Sequence, residues 1–451
     1  MDDLTLALPA AVWAELVDQL ERPEETAGVV LAGTALSEEP GALFASEVRW
    51  VPEDSYRVRE PLRLDIASEG WVPALKAAAA SGRMALFFHT HPGGPPDPSI
   101  SDEGVDKVLS PVFAVRTRSG RYGALIVGGS PESPQFSGHL DGRSIGRLRI
   151  VGGGRLRILG AAAADRILPE AFDRQVRAFG ADGQQLLNQL HVGVVGAGGT
   201  GSAVIEQLGR LGVGRMTLLD PDVVTASNLT RIYGSGGDDV GRLKVEVAAG
   251  NVQRMALGTE VRALGLSVNQ QQGAEALRQC DLLFGCTDDH AGRAVLSRLA
   301  YYYLQPLIDM GVVVSSKAGQ VQGIFGRVTV AGPGEPCLVC RQRVDLVRAR
   351  DETLAPEERV RLAEEGYAQG LDEPDPAVIA YTSAVAAAAI NEMLDLLFGF
   401  GDSEVARELL LRIHDRSIGR VAGAPVAGHL CAEPAEWARG DTEPLLGVLW
   451  S

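Results

Sequence analysis

Two histidines and an aspartate in the N-terminal part of the chain have the spacing of ligands to one metal ion. His89 and His91 follow the apolar run 84–88, and residues two apart on a strand face the same side. Asp102 follows a Gly/Pro-rich loop, where a helix is expected to begin. Two imidazoles and one carboxylate leave the fourth position of a tetrahedral Zn²⁺ site for water. The pattern therefore predicts a catalytic zinc site, which lowers the pKa of its water to about 7.

The same stretch resembles the JAMM (MPN/JAB) metallopeptidases. Their pattern of His-Thr-His, seven residues, Ser, two residues and Asp is matched in full by His89, His91, Ser99 and Asp102. The family's catalytic glutamate aligns with Glu25, in the context Glu-x-x-Gly before an apolar strand, and Glu24 is the alternative if the register shifts by one. The resemblance implies that Ser99 donates a hydrogen bond to the developing oxyanion. It also implies an MPN/JAB-like α+β domain over residues 1–150 that cleaves peptide or isopeptide bonds after the C-terminus of ubiquitin-like proteins.

A glycine-rich turn in the second half of the chain has the residues of a nucleotide site. It follows the β-branched run 191–195 and precedes an amphipathic helical pattern, and its glycines are Gly196, Gly198, Gly199 and Gly201. Such a turn lets backbone N–H groups approach phosphate at a helix N-terminus, and Asp220, about 20 residues further on, can hold a ribose hydroxyl. A dinucleotide-binding dehydrogenase has similar features, so the turn by itself does not distinguish a dinucleotide from ATP.

The residues that follow resemble the ThiF/MoeB group of activating enzymes, which adenylate the C-terminal carboxylate of ubiquitin-like proteins. The motifs are Asp-Pro-Asp at 220–222, Ser-Asn-Leu-Thr-Arg at 227–231, Gly-Arg-Leu-Lys at 241–244 and Gly-Cys-Thr-Asp-Asp at 285–289. The resemblance implies a Rossmann-like, doubly wound α/β domain over residues 166–436 that binds ATP and Mg²⁺. The implied nucleotide-binding residues beyond the glycines are Asp220, Asp222, Asn228, Arg231, Lys244 and Asp288.

The resemblance also assigns roles within this group. Arg231 and Lys244 hold the triphosphate, and Asp288 holds Mg²⁺, while the carboxylate of the substrate's tail attacks the α-phosphorus and pyrophosphate leaves. The Phe-Asp-Arg-Gln at 172–175 resembles the family's N-terminal arm, whose arginine is Arg174 here. In relatives this arginine reaches the triphosphate of the partner subunit, so a homodimer is implied.

Two features depart from the activating-enzyme pattern. Cys337 and Cys340 are half of the family's zinc knuckle, and Cys431 stands where relatives have a second Cys-x-x-Cys. His429 can complete a structural Cys₃His site, and ordinary buried thiols are the alternative. Thioester-forming relatives carry a cysteine in the crossover region, whereas residues 342–430 contain none. An enzyme that stops at the acyl-adenylate, and passes it to a sulfur donor or to a separate conjugating enzyme, fits this pattern.

Composition limits the remaining possibilities. The 451 residues suggest a domain at 1–150, a linker at 151–165, a domain at 166–436 and an apolar tail at 437–451. A net charge of −16 argues against nucleic acid or an anionic membrane as a partner. The acidic start does not resemble a signal peptide, and the apolar stretch 384–400 is interrupted by acids, which indicates a buried helix rather than a membrane span. Five cysteines do not suggest a disulfide framework, so a cytoplasmic location is expected.

Together the two resemblances predict a bifunctional enzyme of a bacterial ubiquitin-like modification system. Some systems of this kind are linked to antiviral defence. It trims or deconjugates a ubiquitin-like protein with a Gly-Gly tail and adenylates that tail with ATP. The alternative is the processing and activation of a sulfur carrier for cofactor, cysteine or siderophore biosynthesis, which the missing crossover cysteine favours. An inactive scaffold of such a system is a second alternative, and adenylation of a small peptide or of tRNA is a third.

Overall fold

Two eight-stranded sheets form the framework of the protein in the computed structural model, which describes residues 3–36, 41–61, 63–160, 168–354, 376–401 and 407–450. The strands of the N-terminal half are β1 (Leu4–Pro9), β2 (Ala27–Ala35), β3 (Ala42–Trp50), β4 (Tyr56–Glu60), β5 (Arg63–Ile66), β6 (Met84–Pro92), β7 (Gly123–Ser130), β8 (Ser133–Leu140), β9 (Arg143–Gly152) and β10 (Arg155–Leu159). Its helices are α1 (Ala10–Asp18), α2 (Val72–Ser81) and α3 (Ile100–Thr117).

The first sheet is mixed and closes on itself. Its order is β1-β3-β2-β6-β7-β8-β9-β10, and an additional parallel pairing joins β1 to β9, while β4 and β5 form a separate ribbon. Alternate residues of β2 enter different apolar clusters, with Val30 on one face and Val29 and Leu31 on the other. Because both faces are buried, β2 has an uninterrupted apolar run instead of an alternating pattern.

The second sheet has the predicted doubly wound topology. Its strands are β11 (His191–Val195), β12 (Arg215–Leu219), β13 (Glu260–Leu264), β14 (Leu282–Gly285), β15 (Leu307–Lys317), β16 (Gln320–Ala331), β17 (Glu408–Arg412) and β18 (Ser417–Arg420). The order is β13-β12-β11-β14-β15-β16-β17-β18, parallel from β13 to β15 and antiparallel beyond. The Rossmann-like α/β prediction is therefore confirmed for this half.

The helices of the second half cover both faces of its sheet. They are α4 (Asp173–Gln189), α5 (Gly199–Leu211), α6 (Lys244–Met255), α7 (Gln271–Glu275), α8 (His290–Tyr302), α9 (Leu346–Glu352) and α10 (Ile379–Phe398). The last of these contains most of the apolar stretch 384–400 and buries Val385, Ala389 and Met393 in the core. Among the helices of the described ranges, none is long and apolar enough to cross a membrane.

The segment expected to be a linker is largely strand. Residues 151–152 end β9, and β10 pairs with it in antiparallel register as far as Leu159. Val151 and Leu156 are buried in the same apolar cluster as the second sheet, because this hairpin packs against α10. Residues 151–159 therefore belong to the N-terminal sheet, in contrast to the expectation, and residues 161–165 lie outside the described ranges. The predicted boundaries of the second domain, at residues 166 and 436, stay predictions.

A buried ion-pair cluster joins the two halves. Asp281 is fully buried and accepts hydrogen bonds from Arg147 Nη1 and Nη2 at 2.6 and 2.9 Å. Arg149 is also buried, and its guanidinium donates to the carbonyl oxygens of Cys280 and Tyr303, both at 2.7 Å. Since both arginines lie on β9, these bonds hold the first sheet against the second.

Residues 437–450, the described part of the predicted tail, dock across the same boundary. Gly33 of β2 donates its backbone N–H to Ala438 O at 3.2 Å, and Thr34 forms an isolated parallel bridge with Gly440. Leu445 and Leu446 are buried in a cluster that contains residues of both halves. The tail thus connects the two halves through both backbone bonds and apolar contacts.

Candidate functional site

The three predicted metal ligands of the N-terminal half converge. His89 and His91 lie at the end of β6, and their Nε2 atoms are 3.2 Å apart. Asp102 Oδ1 lies 3.2 Å from His89 Nε2, and its Oδ2 lies 3.5 Å from His91 Nε2. Zn–N and Zn–O bonds of about 2.0–2.1 Å imply ligand separations of about 3.3 Å in a tetrahedron. The three side chains therefore have the spacing of one zinc site.

Asp102 is oriented by the start of helix α3. Ser99 is the N-cap, and its Oγ accepts the N–H of Asp102 at 3.2 Å, while Asp102 Oδ2 accepts the N–H of Ser99 at 2.7 Å. This reciprocal pattern is a capping box. Burial opposes ionisation of Asp102, but hydrogen bonds to His89 and His91 lower its pKa well below the usual range. The structure thus gives Ser99 an orienting contact with a ligand, and its predicted role toward an oxyanion stays a prediction.

Glu25 is the glutamate that the fold brings to this cluster. Its Oε1 lies 4.0 Å from His91 Nε2, and only 5% of the residue is exposed. Burial raises the pKa of Glu25 to about 7, an effect that His91 opposes and Asp102 adds to. A carboxyl with a pKa near neutrality can exchange a proton at physiological pH. Glu24, the alternative in the sequence, is more exposed.

Two of the four glycines in the second half are required by packing. Gly196 follows β11 with φ +93°, and a Cβ there would lie 2.6 Å from Cys286 O. A Cβ at Gly201 would lie 1.8 Å from Gly196 O. By contrast, a Cβ at Gly198, the N-cap of α5, would meet no atom within 4 Å. The space in front of this helix N-terminus is therefore open, as a phosphate-binding turn needs.

Acidic residues after β12 connect the turn to Lys244. Asp220 is buried, and its two carboxylate oxygens accept the N–H groups of Ala197 and Asp222 at 2.7 and 2.8 Å. Burial raises its pKa, while the amide of Ala197 and Lys244 oppose that shift. Lys244 Nζ lies 2.6 Å from Asp222 Oδ2 and 4.0 Å from Asp220 Oδ1. Asp220 therefore fixes the glycine turn, and Lys244 lies beside it.

Arg231 and Asn228 lie on the connection between β12 and α6. Asn228 is buried and its Oδ1 accepts the N–H of Thr225, which shapes a short 3₁₀ turn at 226–228. Arg231 Nη1 donates to Ser227 O at 2.7 Å, and its Cδ lies 3.3 Å from where a Cβ on Gly199 would stand. Arg231 is thus beside the first turn of α5, as a residue that contacts a phosphate must be.

Asp288 follows β14 at the same edge of the sheet, and its side chain is exposed. Its loop is held by Arg293, which donates to Thr287 O at 2.8 Å and to Asp288 O at 3.3 Å. Arg293 is itself paired with the fully buried Asp309. The backbone around Asp288 is therefore well anchored, while its carboxylate faces solvent.

Arg174 is not brought to the glycine turn within one chain. It is exposed on α4, and its neighbour Gln175 donates to Arg210 O at 2.8 Å. Arg210 is in the last turn of α5, whereas the glycine turn is at the other end of this helix. A rise of 1.5 Å per residue separates the two ends by about 16 Å. This separation agrees with a residue that acts across a subunit boundary, a role that stays a prediction.

The four residues of the predicted zinc knuckle also cluster. Cys340 Sγ lies 3.5 Å from Cys337 Sγ, 3.1 Å from His429 Nδ1 and 3.4 Å from Cys431 Sγ. Zn–S bonds of about 2.3 Å and Zn–N bonds of about 2.0 Å imply separations of about 3.5–3.8 Å in a tetrahedral site. Cys337, Cys340 and His429 therefore lie close enough together to share one ion, and Cys431 lies beside them through its contact with Cys340.

Some residues that support these sites are not predicted by the sequence patterns. Thr90, between the two histidines, accepts the N–H of Thr26 through its Oγ1 at 2.9 Å, and Arg59 donates to Glu25 O at 3.0 Å. Together they fix the backbone that carries Glu25. The alternation of a strand indicates that Thr90 faces away from the histidines, but no local pattern connects Arg59 with a segment 34 positions away.

Comparisons with known proteins find relatives of the second half of the chain. The ThiF family model matches residues 172–416. The chain is 32% identical over 177 residues to the molybdopterin-synthase adenylyltransferase of Escherichia coli K12, and this covers 38% of the chain and 68% of that protein. It is 31% identical over 161 residues to the SAMP-activating enzyme E1 of Haloferax volcanii, covering 36% of the chain and 56% of that protein. Among solved structures, E. coli MccB is similar at a TM-score of 0.46 and 18% identity, over 58% of this chain and 75% of that one.

Proposed function

The chain belongs to the ThiF family, and from this premise we propose that residues 166–436 adenylate, with ATP, the C-terminal glycine of a ubiquitin-like or sulfur-carrier protein. The observation that carries this proposal is the open N-terminus of α5, with Arg231 and Lys244 beside it. Two relatives support the reaction class, because they are named as an adenylyltransferase and as an activating enzyme. The chain spans 68% and 56% of their lengths, so the substrate is part of the proposal.

The residues around the turn have the charges that adenylation requires. Attack of the tail carboxylate on the α-phosphorus of ATP forms an acyl-phosphate bond and breaks the bond to the leaving pyrophosphate. The backbone N–H groups at the start of α5, together with Arg231 and Lys244, hold the negative charge of the triphosphate. Asp288 offers an exposed carboxylate that would hold Mg²⁺, which neutralises phosphate charge when bound. Arg174 of one chain would reach the site of the other in a homodimer.

A second activity is favoured by the convergence of His89, His91 and Asp102 with Glu25. We propose that the N-terminal half is an MPN/JAB-like, zinc-dependent (iso)peptidase that trims or deconjugates the same ubiquitin-like protein. The donor set fits, since two imidazole nitrogens and a carboxylate leave one position for water. Zinc, when bound, supplies a Lewis acid that lowers the pKa of water. In this proposal Glu25 holds and transfers the proton at Oε1, and Ser99 would donate a hydrogen bond to the oxyanion.

A structural zinc at Cys337, Cys340, His429 and Cys431 completes the proposal. These atoms lie within 3.9 Å of Cys340 or Cys337 in the pairs that the structure records. Sulfur and imidazole ligands are those of closed structural sites. Such an ion would fasten the segment before the tail to the loop after β16.

The pathway stays open between two proposals. One proposal is a bacterial ubiquitin-like modification system, of the kind linked to antiviral defence, which explains a peptidase half and an activating half in one cytoplasmic chain. Sulfur-carrier activation for cofactor, cysteine or siderophore synthesis accords with the absence of cysteine from residues 342–430. In either pathway the acyl-adenylate passes to a sulfur donor or to a separate conjugating enzyme. An inactive scaffold would bind less than about one zinc per chain at the N-terminal site, or would show no ATP-dependent turnover.

ATP–pyrophosphate exchange tests the first activity. Candidate carrier proteins are prepared with a Gly-Gly end and with a short extension, and Lys244→Ala should abolish exchange with both. Lys76→Ala is the control, because Lys76 is an exposed lysine on α2. Exchange that survives Lys244→Ala would exclude the proposed nucleotide site.

The same substrates test the peptidase. If extended carriers support exchange with wild type but not with Glu25→Gln, the two halves act in series on one tail. If extensions are never cut, trimming is excluded. Cleavage of conjugated carriers is then compared between wild type and Glu25→Gln. Failure of both cleavage assays with zinc-loaded protein would favour the scaffold for this half.

A further inference from the structure

Helix α3 carries two aspartates one turn apart on the face that packs against the first sheet. Asp102 meets the histidines of the candidate zinc site, and Asp106 reaches Tyr122 and His139. Residues four apart on a helix lie on the same face. Asp106 Oδ1 accepts from the Tyr122 hydroxyl at 2.5 Å, and its Oδ2 lies 2.8 Å from His139 Nε2. One carboxylate thus connects α3 with the start of β7 and with β8.

The buried apolar residues of this helix lie in its C-terminal part, and Val105 is partly buried against the same cluster. Leu109 and Phe113 are buried among the described residues of α3, whereas Ile100 is 91% exposed and Val108 is 68% exposed. The turn that contains Asp102 therefore precedes the first buried apolar residue of the helix. Asp106 follows Val105 between the first turn and Leu109, and its hydrogen bonds to Tyr122 and His139 tie this part of the helix to the first sheet.

The partners of Asp106 are themselves firmly held. Tyr122 is 3% exposed, and the centroid of its ring lies 5.5 Å from that of Phe113. The backbone N–H of Tyr122 donates to Asp141 Oδ1 at 3.0 Å. Burial and the Asp106 hydrogen bond raise the pKa of Tyr122, so its hydroxyl remains a donor. Burial opposes ionisation of Asp106, but His139 and Tyr122 lower its pKa, so its carboxylate remains an acceptor.

We propose that Asp106 is a positioning residue, which through Tyr122 and His139 fixes the first turn of α3 and holds Asp102 at ligand distance from His89 and His91. The inference rests on the proposed zinc site of the N-terminal half. It assigns to this chain a carboxylate that never contacts the metal and still determines how tightly the metal binds. Groups that orient a metal ligand typically change metal affinity by about 10- to 100-fold when they are removed.

Zinc titration of the metal-free full-length protein, in competition with a chromophoric chelator, tests this role. The difference between wild type and His91→Ala isolates the N-terminal site from the cysteine cluster. Asp106→Ala should weaken that site by about 10- to 100-fold, and the cysteine cluster should bind unchanged in the same titration. Asp106→Asn should recover most of the affinity, because an amide can accept from Tyr122 and donate to a neutral His139. Glu103→Ala, an exposed acid on the same helix, is the matched control.

Each outcome decides one point. If wild type binds no more zinc than His91→Ala, the proposed zinc site itself fails. If wild type binds zinc there and Asp106→Ala binds equally tightly, or Asp106→Asn behaves like Asp106→Ala, the positioning role is overturned. If Asp106→Ala loses both ions because it misfolds, Tyr122→Phe, which removes only a hydroxyl, replaces it. In that variant unchanged affinity at the N-terminal site counts against the proposal, and about tenfold weaker binding supports it.

Discussion

Replacing Glu25 with glutamine is expected to stabilise the metal-free protein at neutral and alkaline pH. Burial raises the pKa of Glu25 from 4.5 to about 7. A group with a raised folded-state pKa contributes stability that is fully present below its unfolded pKa and is lost as the pH rises through its folded pKa. Wild type therefore loses stability between pH 4.5 and about 7, whereas glutamine does not titrate. At 1.36 kcal/mol per pH unit, the difference reaches about 3 kcal/mol at pH 8.

Thermal unfolding across this pH range measures the effect on chelator-treated protein. An unfolding entropy of about 2.1 cal/mol/K per residue gives about 0.9 kcal/mol/K for a chain of this length, so the midpoint of Glu25→Gln should exceed that of wild type by about 3 °C at pH 8. The two midpoints should converge below pH 4.5, where the wild-type carboxyl is protonated in both states. Glu24→Gln makes the same charge change at a more exposed neighbour and should follow wild type.

Two results would refute this reasoning. A Glu25→Gln midpoint parallel to that of wild type at every pH would mean that the buried carboxyl does not titrate as the structure indicates. An equal gain in Glu24→Gln would trace the effect to overall negative charge instead of to burial. Restored zinc should reduce the gain, because a cation near the carboxylate favours its ionised form.

Further predictions concern the turn and the contact between the halves. Gly201→Ala should greatly reduce the yield of folded protein, because its Cβ would lie 1.8 Å from a backbone oxygen. Gly198→Ala should fold normally, because its Cβ meets no atom within 4 Å, and it should weaken the binding of ATP measured by equilibrium dialysis. Arg149→Met should lower the free energy of unfolding in urea by about 3 kcal/mol, because two carbonyls and part of the Asp281 charge lose their partner. Deletion of residues 437–451 exposes the surface under two buried leucines, about 1.5–3 kcal/mol each, so limited proteolysis should cleave the N-terminal half faster.

Much of the candidate chemistry could be predicted because it follows from local spacing. The His-Thr-His alternation places His89 and His91 on one side of β6, and the helix that starts after Ser99 presents Asp102 in its first turn. The glycine turn likewise follows a strand and opens a helix, as its sequence predicts. These features depend on backbone periodicity within a few residues, which the sequence contains in full.

The sequence by itself determined which residues can bind metal and phosphate, and the tertiary structure decided what holds them. Within the linker predicted at 151–165, residues 155–159 form a strand because Val151 and Leu156 gain burial against the second sheet, whose strands lie far along the chain. Arg59 and Asp106 contact the surroundings of the candidate zinc site through partners 34 and 33 positions away. Such contacts depend on which surfaces meet when the sheets pack, and this is a property of long-range burial instead of local pattern.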